Sequence, residues 1–352
     1  MINDLRLQSY RSYSEDAFEF GSGVNIIVGP NASGKTNLLE AILVVCRGGS
    51  YRVKDIDLIQ FDAPWMRLES DTAEGKRIIT LEKTLVSVEK KYNINSVTHK
   101  RLALSKTIPV VVFEPEHLRL LNGGPERRRE YLDNLLEQTV SGFGKLRREY
   151  KRTLAQRNKL LKNPNFNTQE LFVWNVRLCE LGGQIVKYRA ALIDRLNDEI
   201  QDLYQELAQA KTQISLEYLS VCNVEAYSTE MLRKLEQNLE DDRMRGFTSH
   251  GPHRDDLGII IDNHRAEVSA SRGESRTVLL ALKILELRII EKSRNKKPIL
   301  LLDDVFSELD GSRRKALTSY LQEYQTFITT TDADIVVQHF MSDCTIIPIS
   351  IK

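Results

Sequence analysis

Apolar residues in this chain fall into two textures. In the first ~120 residues, and again after ~245, they gather in short runs split by turn residues. These runs are Leu5-Arg6-Leu7, Val24-Asn25-Ile26-Ile27-Val28, Arg77-Ile78-Ile79-Thr80-Leu81, Pro109-Val110-Val111-Val112-Phe113, Gly258-Ile259-Ile260-Ile261 and Pro298-Ile299-Leu300-Leu301-Leu302. Runs of that length predict strands, and the uninterrupted ones predict strands covered on both faces, as in a parallel sheet. From about Glu126 to Asp242 the spacing changes. Leu146, Tyr150 and Leu154 recur at helical steps, as do Leu181, Ile185, Tyr188 and Leu192, then Leu203 and Leu207. That spacing predicts helices with one apolar face. Lys162-Asn163-Pro164-Asn165-Phe166-Asn167-Thr168 interrupts the helical region with turn formers, so two of its helices are expected to pair as an antiparallel hairpin. The expected organisation is an α/β head split over 1–125 and 243–352, with an inserted helical domain at 126–242.

Composition narrows the class. The chain has 352 residues, 41% apolar and 28% charged, as expected of a soluble globular protein with a real core. Its formal net charge is +1, so any nucleic-acid binding must come from local clusters. Cys46, Cys179, Cys222 and Cys344 are scattered and make no C-x-x-C pair. That argues against a zinc site and a disulfide framework and fits a reducing compartment. No apolar run approaches the ~18 residues that span a bilayer, and Met1-Ile2-Asn3-Asp4 does not open a basic-then-apolar leader. No membrane association and a cytoplasmic location are expected.

The strongest chemical signal is Gly29-Pro30-Asn31-Ala32-Ser33-Gly34-Lys35-Thr36, a G-x-x-x-x-G-K-T phosphate-binding loop. It follows a predicted strand and precedes the helical run Asn37–Leu43, the context that turns the pattern into a site. Its glycines let backbone N–H groups face phosphate oxygens, and the helix N-terminus favours negative charge. Lys35 is expected to reach the β/γ-phosphates and Thr36 to offer its hydroxyl to Mg²⁺. ATP with Mg²⁺ is the expected ligand. A second element, Pro298–Leu302, ends in Asp303-Asp304. In phosphoryl-transfer ATPases such a strand is expected beside the phosphate-loop strand, with Asp303 on the metal and Asp304 polarising the attacking water. Between the two, Ser271-Arg272-Gly273-Glu274 opens a helical run and suits anion capping.

This order of phosphate loop, long insert, Ser-x-Gly helix start and acid-ended strand resembles the ATP-binding-cassette (ABC) ATPases. The resemblance implies that Ser271, Gly273 and Glu274 of one subunit complete the nucleotide site of another. It makes Ser307-Glu308-Leu309-Asp310 a loop at the dimer interface, with Ser307 and Asp310 its marked residues. Glu274 stands where the signature usually has Gln, and Asp304 where a catalytic Glu is usual, so slow hydrolysis is expected. No histidine occupies the switch position after Phe327-Ile328-Thr329-Thr330-Thr331-Asp332; Thr331 or Asp332 stands nearest to it.

The insert is too short for the coiled coils of structural-maintenance (SMC) and Rad50-type heads and carries no zinc-hook cysteines. A transport ATPase would be shorter and membrane-coupled. Two longer stretches, Pro115–Asp133 and Gly251-Pro252-His253-Arg254-Asp255-Asp256-Leu257, resemble signatures of the RecF family, as do Ser9–Tyr13, Gly29–Ile42 and Leu301–Asp310. The likeness covers nearly the whole chain. It implies an ATP-dependent homodimer acting in DNA repair, replication, recombination and the SOS response. Such a protein would bind DNA and work with RecR, and indirectly RecO and RecA, at gapped DNA. An SMC-like DNA-organising subunit is the alternative.

Lys145, Arg147, Arg148, Lys151, Arg152, Arg157, Lys159 and Lys162 crowd the first arm of the hairpin, opposed by Glu149. Such a helix can bind phosphates without reading sequence; a solvated face is the equal alternative. Arg127-Arg128-Arg129 is expected to be structural, pairing with acids such as Glu130 and Asp133. Arg11 is expected near the nucleotide. His250 and His253 with Asp255 and Asp256 are ligand types, but Pro252 and the missing further ligand argue against a zinc site, and a packed turn is expected there.

Overall fold

The computed structural model describes residues 1–163, 167–332 and 344–350; the side chains of Ser307 and Glu308 are not part of that description. The chain forms two compact units, Met1–His117 with Glu286–Lys352, and Leu118–Leu285.

The first unit contains two sheets. Strands β1 (Asp4–Tyr10), β2 (Tyr13–Glu19), β4 (Trp65–Thr72), β5 (Gly75–Lys83), β6 (Val88–Ile94) and β7 (Val97–His99) form an antiparallel sheet in the order β2-β1-β4-β5-β6-β7. Strands β3 (Val24–Val28), β8 (Val110–Phe113), β12 (Ile299–Asp303), β13 (Thr326–Thr330) and β14 (Cys344–Pro348) form a parallel sheet in the order β14-β3-β13-β12-β8. Helix α1 (Lys35–Arg47) contributes Leu38, Leu39, Ile42, Leu43 and Val45 to a core shared with both sheets. Leu5, Leu7, Leu68 and Leu81 come from one sheet; Ile27, Val110, Leu301 and Phe327 come from the other. β12 is buried at every position, as its unbroken apolar run predicts. It does not lie beside the phosphate-loop strand, as the sequence suggests it should. β13 stands between them, pairing Thr329 with Ile27 of β3 and with Asp303 of β12. The threonine-rich β13 carries side-chain hydroxyls into that gap.

The second unit starts with α2 (Arg119–Asn122) and α3 (Pro125–Thr139), the latter with Pro125 in its first turn. Next come α4 (Phe143–Leu161) and the 41-residue α5 (Thr168–Ala208). Asn167 caps α5 by accepting from the Gln169 amide at 2.8 Å. Arg157 of α4 meets Asn175 of α5, and Glu149 meets Arg177, so the pair runs antiparallel as expected. The helical texture conceals a strand. β9 (Ile214–Leu219) pairs antiparallel with β10 (Asp256–Ile261), which also pairs with β11 (His264–Arg265). Ile214 and Leu216 are buried and alternate with exposed residues, a period-2 signal that the helical reading passes over. Helices α6 (Tyr227–Gln237), α7 (Leu239–Arg245) and α8 (Ala266–Ser269) complete the unit, with the first part of α9 (Arg272–Arg294). The remaining helices, α10 (Val305–Glu308) and α11 (Gly311–Leu321), belong to the first unit.

Candidate functional site

The phosphate loop joins the end of β3 to the start of α1. A Cβ on Gly29 would fall 2.3 Å from the Ile349 carbonyl oxygen, so a side chain there would displace backbone. Ala32 at φ +63° and Gly34 at φ +103° take left-handed conformations, which curl the loop. The Tyr13 hydroxyl donates to the Gly34 carbonyl at 3.0 Å. Pro30, Asn31 and Ala32 form an exposed crown, while Ser33 and Lys35 are buried. Lys35 Nζ donates to the Gly29 and Pro30 carbonyls at 2.8 and 2.9 Å. Ser33 Oγ is buried, 8% exposed as a residue, and has no hydrogen-bond partner. An orphaned hydroxyl in a loop of this shape suits a phosphate oxygen as its acceptor.

Thr36, in the first turn of α1, donates to Asp303 at 2.9 Å (Oδ1) and 3.2 Å (Oδ2). Thr329 Oγ1 also donates to Asp303 Oδ1, at 2.8 Å, and Arg52 Nη2 donates to Oδ2 at 2.9 Å. A hydroxyl and a buried carboxylate side by side form a hard oxygen donor set of the kind that holds Mg²⁺. Asp304 is left-handed at φ +50°, and its amide donates to Thr329 Oγ1 at 2.9 Å. Burial, then the neighbouring Asp303 charge, push the Asp304 carboxyl up, against Lys35.

Arg52 and Glu114 are the residues the sequence did not offer. Glu114 follows β8 and is buried; it accepts from Arg52 Nε at 2.8 Å and from the Tyr51 hydroxyl at 2.7 Å. One guanidinium therefore balances two acids that are 189 positions apart in numbering (303 − 114). No local pattern announces it; an acid directly after an apolar strand, as at Glu114, was the available signal.

Arg11, at φ +51°, donates to Glu40 Oε2 of α1 through Nε and Nη2, at 3.0 and 2.8 Å. It thus sits beside the helix that carries Thr36. Ser271 and Glu274 form a reciprocal cap at the start of α9. The Ser271 amide donates to Glu274 Oε2 at 2.8 Å, and the Glu274 amide donates to Ser271 Oγ at 3.2 Å. The acid that replaces the usual Gln therefore stabilises the helix start, with Gly273 inside it. Asp310 caps α11, accepting from the Arg313 amide at 3.0 Å; the Ser307 side chain lies outside the described residues.

On α4, Lys145, Arg148, Lys151, Arg152, Lys159 and Lys162 are exposed. Positions 145, 148, 152, 155, 159 and 162 advance by three or four and are cationic except at Ala155, so with Lys151 at their flank the cations lie along one solvent stripe about 25 Å long. Two arginines expected on that arm do not belong to the stripe. Arg147 is partly buried beside Asp133 and Glu137. Arg157 is fully buried; it donates to Asp242 Oδ2 at 2.8 Å, Thr248 Oγ1 at 2.7 Å and Asn175 Oδ1 at 2.6 Å. It falls on the face of Tyr150, Thr153 and Leu161, all buried, and the helical phase of its position was the missed signal.

The Gly251–Leu257 stretch is a polar hub. Arg128 grips Asp256 through two bonds of 2.9 and 2.7 Å, and Arg129 donates to the Asp255 carbonyl. Arg128 and Arg129 thus hydrogen-bond to Asp256 and the Asp255 carbonyl rather than to Glu130 and Asp133; Asp133 is hydrogen-bonded by Arg189. Asp255 accepts from the Tyr218 and Tyr227 hydroxyls. His253 Nε2 lies 3.1 Å from the Thr248 carbonyl, which can only accept, so Nε2 carries the proton and Nδ1 accepts from the Tyr150 hydroxyl at 2.7 Å.

Loop, acid-ended strand and sheet order together define the class: a phosphate-loop ATPase head of the ABC type with a helical insert. The profile of the RecF/RecN/SMC N terminal domain matches residues 1–345. A Clostridium perfringens protein named DNA replication and repair protein RecF is 34% identical over 335 residues, covering 94% of this chain and 92% of that one. A Symbiobacterium thermophilum protein of the same name is 35% identical over 356 residues, covering 97% and 94%. A solved structure of the recombination mediator protein RecF-ATPrS in the RecFOR pathway matches with TM-score 0.86 at 30% identity, covering 94% and 92%. The Smc head domain of Pyrococcus furiosus, at 17% identity and TM-score 0.53 over 100% and 94%, shares the fold. The chain belongs to the RecF family. Among the described residues no helix is long and apolar enough to cross a membrane.

Proposed function

We propose that this chain is an ATP-dependent recombination mediator that dimerises on the nucleotide, binds duplex and gapped DNA, and helps RecR, and through it RecO, load RecA. The observation that carries the nucleotide half is the Thr36–Asp303 pair at 2.9 Å beside a loop whose buried Ser33 hydroxyl has no partner. In this reading Gly29 to Thr36 hold the phosphates, with Lys35 on the β/γ-phosphates and Arg11 near the nucleotide. Thr36 and Asp303 hold Mg²⁺, which neutralises phosphate charge. Asp304 orients the attacking water, and its short side chain makes hydrolysis slow; DNA binding stimulates that hydrolysis. Ser271, Gly273 and Glu274 act in trans, with Ser307 and Asp310 at the dimer loop. The head is taken as 1–125 with 243–352 and the insert as 126–242. The names of the relatives and of the matched RecF structure support the repair role.

The DNA half rests on the α4 stripe of Lys145, Arg148, Lys151, Arg152 and Lys159, which supplies salt-dependent, sequence-independent phosphate contacts. Light scattering with ATP-Mg²⁺ and short duplex DNA tests the whole. The expected outcome is an ATP-dependent dimer that binds duplex and is lost in Ser271→Arg. A protein that stays monomeric and ignores DNA under all conditions overturns the mediator reading and leaves an ATPase.

A further inference from the structure

Where the basic stripe of α4 ends, the chain shows apolar surface to solvent. Met244 is 79% exposed and Phe247 is 40% exposed, although they lie two and five positions after the buried Asp242. Their turn is held firmly. The Gly246 amide donates to the Asp242 carbonyl at 2.8 Å, with Gly246 at φ +72°. Thr248 donates to Asn158 Oδ1 through its amide (2.9 Å) and its hydroxyl (2.7 Å), and Ser249 donates to Asp242 Oδ1. The buried Arg157 joins both sides of the turn, through Asp242 and Thr248. Phe247 therefore sits between two residues whose backbone is pinned, so the turn that presents its half-exposed ring is ordered before any contact.

The surroundings are cationic. The Arg254 guanidinium lies 5.0 Å from the Phe247 ring centroid. Arg245, Arg254, Lys159 and Lys162 are exposed. A Cβ on Gly246 would lie 3.4 Å from the Lys162 side chain, so Lys162 runs against the turn itself. The acids here are Glu240, which pairs with Arg243 at 3.3 Å, and the exposed Asp241. An aromatic ring beside a guanidinium plane, next to a row of lysines and arginines, matches a base face attached to a phosphate chain.

We propose that Phe247, with Met244 beside it, stacks on unpaired bases of single-stranded DNA at the end of the α4 stripe. The inference rests on the DNA-binding reading above and adds a division of labour: the stripe takes backbone phosphates, and the turn takes bases that have left the duplex. Arg157 and Asp242 are positioning residues for the turn.

Fluorescence anisotropy with labelled oligo-dT and with a blunt duplex, at one salt concentration, tests it. Phe247→Ala is expected to weaken oligo-dT binding by roughly tenfold, the size of one lost base–aromatic stack, and to leave duplex binding unchanged. Phe247→Trp keeps oligo-dT affinity, whereas Phe247→Leu, which keeps apolar area but no ring, loses it. An unchanged oligo-dT affinity in Phe247→Ala, or an equal loss on both probes, overturns the stacking role. Wild-type protein that binds duplex but not oligo-dT overturns this inference alone; wild-type protein that binds neither overturns the DNA reading with it.

Discussion

Residues 29–36 and 248–256 are both short polar runs built around a left-handed glycine, Gly34 at φ +103° and Gly251 at φ +136°. They differ in how their polar atoms are satisfied. In the phosphate loop, Lys35 folds onto the loop's own carbonyls and Ser33 Oγ has no partner. In the second run, the Pro252 carbonyl and the side chains of His253, Asp255 and Asp256 each have a dedicated donor. Arg189 donates to the Pro252 carbonyl at 2.6 Å, Tyr150 to His253, two tyrosines to Asp255 and Arg128 to Asp256. Orphans beside it include Arg157 Nη2, on a guanidinium bonded through Nε and Nη1, and Glu267 Oε1, which faces Arg128 as an ion at 3.4 Å. Density of polar side chains therefore does not separate a ligand site from a scaffold. The state of their hydrogen bonds does, because a buried group is left unpaired at a cost unless something else completes it.

The largest effect that tests this contrast belongs to the scaffold. Asp242→Ala leaves the fully buried Arg157 without its carboxylate and strips Ser249 of its acceptor. Breaking one side of a buried pair costs about 3–5 kcal/mol. Urea denaturation should show the loss in Leu118–Leu285. The double substitution Arg157→Met with Asp242→Leu should recover most of it, since no uncompensated charge remains. If the single variant unfolds at the wild-type midpoint, the pair is not holding the turn.

The loop should behave the other way, with large effects on ligand and small ones on fold. Lys35→Ala is expected to lose ATP binding by roughly a hundredfold, about 3 kcal/mol, at an unchanged denaturation midpoint. Asp303→Ala is expected to bind ATP without turning it over; Arg52 keeps its Glu114 partner there. Wild-type turnover in both variants would show that the site has been wrongly assigned.

Legibility divides along the same line. The phosphate loop, its strand and helix, β8 and β12 are readable because each is specified within about a dozen residues, by turn glycines or apolar runs; the helical hairpin is readable from a helical period that repeats along α4 and α5. The sequence predicts the strand that carries Asp303 but puts it one strand too close to the loop, because strand order is not written locally. Arg52 was missed because its acids lie 62 and 251 positions away. Charge alone groups Arg157 with the exposed cations, whereas stepping by helical turns from Tyr150 through Thr153 puts it on the buried face. β9 is hidden inside a helical region because four alternating residues are a weaker signal than the long helices around them.

A smaller test uses the hub's pH dependence. Burial holds His253 down to about 4, against the favourable Thr248 carbonyl, and the charges of Arg254, Arg129 and Arg157 add to the shift. Its ordinary value is about 6.5, so below that pH the unfolded chain takes up a proton that the folded chain refuses. Stability is thus fully present above pH 6.5 and falls as the pH drops towards 4, by up to about 3 kcal/mol over the window. Asp255 has the opposite sign, since burial raises its carboxyl, so the slope is cleanest between about pH 7 and 5. Denaturation midpoints there should fall with acid in the wild type and flatten in His253→Asn. Equal slopes would mean that His253 is not the neutral tautomer its partners require.

The smallest effect is the sharpest discriminator between the two regions, because its sign differs between them. Ser33→Ala removes a hydroxyl that has no partner in the folded chain, so the nucleotide-free protein should keep its melting midpoint or gain slightly. The same change takes away a phosphate donor, so ATP-Mg²⁺ affinity should fall about fivefold, near 1 kcal/mol, and the ATP-induced rise in melting temperature should shrink with it. Thr248→Ala is the matched substitution in the scaffold. It strips Arg157 of an acceptor and Asn158 of a donor, so it should lower the midpoint by about 1–2 kcal/mol and leave ATP affinity alone. Were Ser33→Ala to destabilise the free protein as Thr248→Ala does, the Ser33 hydroxyl would have a protein partner after all, and the loop would be scaffold of the same kind as the hub.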